Sequence, residues 1–356
     1  MANPLTPDVL ADPVALTRAL VDIDSVSLHE KEIADCVEEV LRAAPHLSVQ
    51  RYGNTVMART DLGLPQRVVL AGHLDTVPHN HNFPSRLEGD LIWGCGTSDM
   101  KGGVAFALHL AVTVTEPRFD VTYFFYEAEE IESEYNGLKL VADNHPEWLT
   151  ADFAVLLEPT YGVVEAGCQG TMRAMVRTTG RRAHSARAWR GVNAIHGAGE
   201  VLNRLAAYEA RTVTIDGCTY REGLNAVRIK GGVAGNVVPD LCEIEVNYRF
   251  APDRTEAQAQ AHVREVFEGF EITVTDSASG ALPGLTAPPA REFLTAVAAT
   301  PVAKLGWTDV SRFAALGIPA LNFGPGDPNL AHAPDEHVEI GKIRDGAATL
   351  YRWLAS

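Results

Sequence analysis

The order of apolar runs predicts an α/β protein: a mixed sheet with helices on both faces, interrupted by an inserted β-α-β-β-α-β unit. Three observations carry this reading. Short apolar runs at 67–72, 121–126 and 152–157 alternate with helical stretches, the pattern of strands buried on both faces. Between about 171 and 285 the texture changes to alternating strands with one polar face. After a Pro/Gly-rich stretch at 281–290, the buried-strand pattern returns at 319–323.

The elements follow in order. Helical spacing begins at 14–23, and Ser27-Leu28-His29-Glu30 has the form of a capping box leading into Ile33, Val37, Val40 and Leu41. The first buried strand, 67–72, ends at His73-Leu74-Asp75. A glycine-dense loop, Gly94-Cys95-Gly96-Thr97-Ser98-Asp99-Met100-Lys101-Gly102-Gly103, then enters an apolar helix with Asp99 at its N-terminus, where an aspartate also serves as an ordinary cap. This loop lacks the spacing of a P-loop, so a nucleotide site is not expected. The inserted part reads as strand 171–179, helix 193–209, strands 225–233 and 242–250, helix 255–267 and strand 271–275, the order of a ferredoxin-like unit. A helix at 291–298 and the strand at 319–323 return the chain to the first part. The expected boundaries are 1–170 with 288–356 for the first domain and 171–287 for the insert.

The balance of 30 Lys+Arg against 46 Asp+Glu, a net charge of −16 over 356 residues, lacks the basic footprint of nucleic-acid or membrane binding. Neither partner is expected. No signal peptide is read at the N-terminus, and the longest strongly apolar stretch, 104–114, falls short of the ~20 residues of a membrane span. The five cysteines, Cys36, Cys95, Cys168, Cys218 and Cys242, are scattered and never form Cys-x-x-Cys. A reducing cytoplasm and free thiols are expected, and any metal must be held by imidazole and carboxylate.

Candidate chemistry gathers at the ends of the buried strands, where open α/β sheets bind ligands. His73 and Asp75, two residues apart, point the same way, so Asp75 can orient the imidazole. Glu129 and Glu130 follow the second strand, Glu158-Pro159 the third, and Phe323-Gly324-Pro325-Gly326 leads to His332 and His337. So many acids in one place require cations. Imidazole and carboxylate without thiolate fit zinc, cobalt or manganese in a water-bearing site, and a carboxylate shared by two ions is the usual two-metal arrangement. Glu132 and Glu134 read as solvated surface.

In order and spacing, His73-Leu74-Asp75, Gly96-Thr97-Ser98-Asp99-Met100-Lys101-Gly102, Glu129-Glu130, Glu158-Pro159 and His332 resemble the M20 metallopeptidase/deacylase family over essentially the whole chain. The resemblance implies a zinc-peptidase-like catalytic domain and two divalent ions, zinc first and cobalt second. Asp99 would bridge them, with His73 and Glu158 completing one site and Glu130 and His332 the other. The family pattern puts the last ligand before Asp335-Glu336, which favours His332 over His337. Glu129 takes the place of the general base, and Asp75 that of the residue fixing His73. The insert is the family's dimerisation domain, which implies a homodimer. His184, in Gly180-Arg181-Arg182-Ala183-His184-Ser185-Ala186, would hold the oxyanion in the partner's site, and Asn236 and Arg249 match substrate-contact positions.

The implied reaction is hydrolysis of an N-acyl amide, the substrate a small N-acyl amino acid. The stretch from Ala303 to Phe313, with Asn322-Phe323-Gly324-Pro325-Gly326-Asp327, is most similar to the actinobacterial branch of the succinyl-diaminopimelate desuccinylases. Those act on N-succinyl-L,L-2,6-diaminopimelate, giving succinate and L,L-diaminopimelate. Arg249 and Arg312 would then meet substrate carboxylates, with Thr171, Thr308 and Gly326 as further contacts. The chain departs from the commoner desuccinylases in two places. It lacks their arginine near Gly167-Cys168-Gln169-Gly170-Thr171, and it has Trp307-Thr308-Asp309-Val310-Ser311 where they have Gly-Thr-Ser-Asp-Gly. Acetylornithine or another N-acyl-amino-acid deacetylase, or a dipeptidase, is the enzymatic alternative. An inactive peptide-binding dimer is the non-enzymatic one, against which Glu129 argues.

Overall fold

Strand Asp120–Tyr126 is buried along its whole length, and Arg67–His73 at every position after Arg67. Alternate side chains of a strand face opposite ways, so burial of this kind needs cover on both faces. Val68, Leu70, Val121, Tyr123 and Phe125 join a core with Leu16, Leu20, Val37, Phe106 and Leu350 from helices. Val69, Ala71, Phe124 and Tyr126 are fully buried on the other side.

The computed structural model describes residues 3–355. It places these two strands inside an eight-stranded sheet ordered Ser48–Tyr52, Thr55–Arg59, Asp120–Tyr126, Arg67–His73, Phe153–Leu156, Ala320–Asn322, Glu165–Ala166 and Val302–Ala303. The four central strands run parallel. Flanking pairs are antiparallel, so the sheet is mixed. Parallel strands end at one edge, and this edge collects the residues after His73, Tyr126, Leu156 and Asn322.

Two local expectations are corrected. Ser27 does not cap a helix: its hydroxyl donates to Asp75 Oδ2 at 2.7 Å, Leu28 takes a left-handed φ of 72°, and the helix starts later, at Lys31–Ala43. Glu30 accepts from the Leu28 amide (2.9 Å) rather than completing a box. Asp99 likewise does not cap the apolar helix, which runs Gly102–Thr113. It lies in the preceding turn, Thr97–Lys101, with φ −121° and ψ 93°, outside helical geometry.

The chain forms two compact units, one from the segment up to Ala166 with Pro283–Val302 and the segment from Arg312 onward, the other from Gly167–Leu282 and Ala303–Ser311. In the second, antiparallel strands are ordered Gly223–Gly231, Leu241–Phe250, Gly170–Thr179, Glu271–Ala278. Helices Ala194–Ala206 and Glu256–Val266 cover one face, packing Ala198, Val201, Ala259 and Val263 on Met172, Ala174, Val176, Ile244 and Val246. This is the ferredoxin-like order. Two small ribbons, Thr212–Ile215 with Cys218–Arg221 and Ala183–His184 with Val237–Val238, were not anticipated.

Candidate metal centre

His73 ends its strand fully buried, and the backbone fixes which ring nitrogen faces outward. Nδ1 lies 3.0 Å from the Asp75 carbonyl oxygen and donates to it, leaving Nε2 3.3 Å from Asp99 Oδ1. The Asp75 carboxylate stands farther from the ring, 3.4 Å from Nδ1. Its main bonds run elsewhere: Oδ1 accepts from the Glu129 amide (3.0 Å), and Oδ2 from the Glu130 amide (3.2 Å) as well as from Ser27. Asp75 therefore orients the ring chiefly through its main chain and carries the glutamate loop on its side chain.

Across the site, His332 Nε2 is 2.9 Å from Glu130 Oε1 and 3.6 Å from Asp99 Oδ2. Ligand atoms of His73, Asp99 and Glu158 lie within 4.8 Å of one another, as do those of Asp99, Glu130 and His332, and those of His73, Glu129 and Glu130. Asp99 is common to the first two groups. His337 is in none of these groups among the described residues; its ring packs against Trp93, with centroids 4.3 Å apart. Of the cysteines, four are buried and Cys36 partly so, none is in a disulfide, and none joins these groups among the described residues.

The charges explain why such a cluster wants cations. Burial opposes a proton on His73, but Asp75 and Asp99 overcome it and hold its pKa well above the ordinary value. Glu130 raises His332 from 6.5 to about 9. Without an ion, protons on imidazole offset the carboxylates. The donor set of two imidazoles and carboxylates, with no thiolate, fits divalent ions in an open site.

A family model for peptidase family M20/M25/M40 matches residues 69–356. The chain belongs to this family. It is 57% identical to the DapE protein of Mycobacterium tuberculosis (strain H37Rv) over 350 residues, 98% of this chain and 99% of that one. It is 51% identical to the succinyl-diaminopimelate desuccinylase of Corynebacterium glutamicum over 359 residues, 98% of this chain and 97% of that one. Its fold matches the crystal structure of a tripeptidase from Staphylococcus aureus with a TM-score of 0.79, covering 97% of both chains at 21% identity. As an M20 protein it uses divalent metal.

In the second unit of this M20 chain, Thr171 and Arg249 are register partners, with Asn247 donating to Thr171 Oγ1 (3.4 Å) and accepting from Arg249 Nε (3.2 Å). His184 is exposed, and its Nδ1 accepts from the Ala186 amide at 3.1 Å, so neutral His184 carries its proton on Nε2. The Asn236 carbonyl accepts from the Ser185 amide (2.9 Å), beside it. Thr308 is buried, its carbonyl 3.7 Å from Cys168 Sγ. In the first unit Arg312 donates to Ser133 Oγ (3.0 Å). Gly326 is buried where a Cβ would collide with Ser98 backbone, which is a packing reason for glycine there.

Three residues were missed in the sequence. Ser27 holds Asp75; Glu30, fully buried, accepts the Ala128 amide (3.1 Å) beside Glu129; and Glu336 accepts three amides of the Asp99 turn. Burial pushes the Glu336 carboxyl up to about 7 against those amides. The sequence signal for Glu336 is its place in the Asp335-Glu336 pair shortly after His332.

Proposed function

We propose that the chain is a zinc-dependent succinyl-diaminopimelate desuccinylase, hydrolysing N-succinyl-L,L-2,6-diaminopimelate to succinate and L,L-2,6-diaminopimelate on the route to diaminopimelate and lysine. Near-full-length identity above one half to proteins of that name carries the substrate. The clustered imidazoles and carboxylates carry the chemistry. His73, Asp99 and Glu158 would hold one ion, and Asp99, Glu130 and His332 the other. When bound, such ions lower the pKa of a water and polarise an amide carbonyl. Glu129, its amide anchored on Asp75, takes the proton as the water attacks the carbonyl carbon. Nε2–H of His184 donates to the oxyanion, from the partner subunit of a homodimer. Glu129 then returns the proton to the departing nitrogen as the C–N bond breaks, and the new carboxylic acid yields its own proton to the released amine, leaving a carboxylate and an ammonium group.

Arg249 and Arg312 suit a substrate rich in carboxylates, with Thr171, Asn236, Thr308 and Gly326 as further candidate contacts by the family resemblance. Cysteines outside any disulfide suit a reducing compartment, and we propose the cytoplasm. Among the described residues, no helix is long and apolar enough to cross a membrane.

The test compares zinc-loaded enzyme on N-succinyl-L,L-diaminopimelate, N-acetylornithine and a panel of small peptides. Preference for the succinyl substrate is expected, and preference for either of the others overturns the substrate. Glu129→Gln should keep its metal and lose about 10²–10⁴-fold in kcat; a variant with most of its turnover would remove Glu129 from the role of base.

A further inference from the structure

Glu336 lies outside every group of ligand atoms at the site, yet it touches two of the three loops that supply the second ion's ligands, those of Asp99 and His332. Its side chain is buried, with 2% of the residue exposed. Oε1 accepts from the amides of Ser98 (2.9 Å) and Asp99 (3.0 Å), and Oε2 from that of Gly96 (3.0 Å). Its main chain continues the tie, since its carbonyl accepts from the Gly94 amide (3.0 Å) and its amide donates to the Ala333 carbonyl (3.1 Å), one residue from His332. Ser98 Oγ adds a bond to the His337 carbonyl at 2.7 Å.

This matters because Asp99 and His332 are not placed by regular structure. Asp99 sits in a non-helical turn. The His332 side chain is about half exposed, on a residue with a positive φ of 63°. His73, by contrast, ends a buried central strand, and Glu158 follows one two residues after Leu156. We propose that Glu336 is the positioning residue of the second metal pocket, fixing Asp99 and His332 in register so that Asp99, Glu130 and His332 converge. The inference rests on the metal-ligand reading above.

Stepwise zinc titration of the metal-free protein against a chromophoric chelator tests it. Comparison of His332→Ala with the wild type identifies the binding step that belongs to this pocket. Glu336→Gln keeps the size but turns an amide NH₂ towards backbone N–H donors. It should weaken that same step about 10–100-fold, the range for residues that orient ligands, with the other step, which shares Asp99 but keeps the strand-borne His73 and Glu158, weakened less and the melting temperature of the metal-free protein nearly kept. An unchanged step overturns the inference, as does an equal loss in both steps accompanied by a lower melting temperature, which would mean support of the fold alone. Should Glu336→Gln not fold, Ser98→Ala decides: it cuts a tie between the same loops and should weaken the same step severalfold, and no change overturns the proposal. If the wild type takes up no zinc, or His332→Ala alters neither step, the metal-ligand reading itself fails.

Discussion

His332 joins the site through Glu130 and Asp99, and those carboxylates keep its ring protonated up to about pH 9 in the metal-free protein. A metal ligand must be the neutral ring, so metal uptake near neutral pH has to expel that proton. Isothermal titration with zinc in buffers of different ionisation enthalpy should show proton release, and His332→Asn should reduce it by about one. Heats independent of buffer would contradict this. The sign for stability follows from the raised pKa. Pairing of His332 contributes fully below its ordinary value of 6.5 and is lost as pH rises through about 9, so the metal-free protein weakens across that window. At this scale the clustered side chains were legible, because each follows a buried strand or a glycine-dense loop. Ser27, Glu30 and Glu336 were not, because each acts by accepting or donating to a residue far along the chain.

Helix Gly102–Thr113 must lie close against the strand end that carries Glu158, and Gly103 makes the approach possible: a Cβ there would run into the Leu157 carbonyl oxygen. Alanine is favoured over glycine by about 1 kcal/mol in an ordinary helix interior. Here backbone meets backbone and no rotamer relieves the clash, so Gly103→Ala should cost ~2 kcal/mol. Denaturant unfolding of the metal-free protein measures it, and an equal or more stable variant would show that the helix can withdraw freely. Long, strongly patterned elements were readable at this scale, since burial on both faces leaves an unbroken apolar run. Starts and turns were less so. Ser27-Leu28-His29-Glu30 has a capping box's letters, but Asp75 takes the serine hydroxyl, whereas Thr255 does form such a box with Gln258.

For the whole molecule, the charge of −16 includes Asp99, Glu129, Glu130 and Glu158, whose field bound cations would offset. The second unit leaves strand Gly223–Gly231 at a sheet edge with Val227 and Ile229 exposed, and helix Ala194–Ala206 beside it exposes Ile195 and Leu202. An uncovered apolar edge of this kind pairs readily with another chain, and in the proposed homodimer the partner is a second copy. Val227→Lys with Ile229→Lys should convert a dimer to a monomer in sedimentation; a wild type that sediments as a monomer would refute the assembly. Mixing His184→Ala subunits with Glu129→Gln subunits should restore some activity if His184 acts across that dimer, and no recovery would place it within its own chain. The sequence by itself determined the mixed α/β sheet, the ferredoxin-like order of the insert and the family, because these rest on local patterns of burial and on motif spacing. Only the tertiary structure decided which carboxylates hold the loops of the site. Asp75 reaches Glu129 across 54 residues, Glu30 reaches Ala128 across 98, and Glu336 reaches Ser98 across 238. A buried carboxylate's bond to a backbone amide leaves no mark on the residue that supplies the amide, since every amino acid but proline carries one.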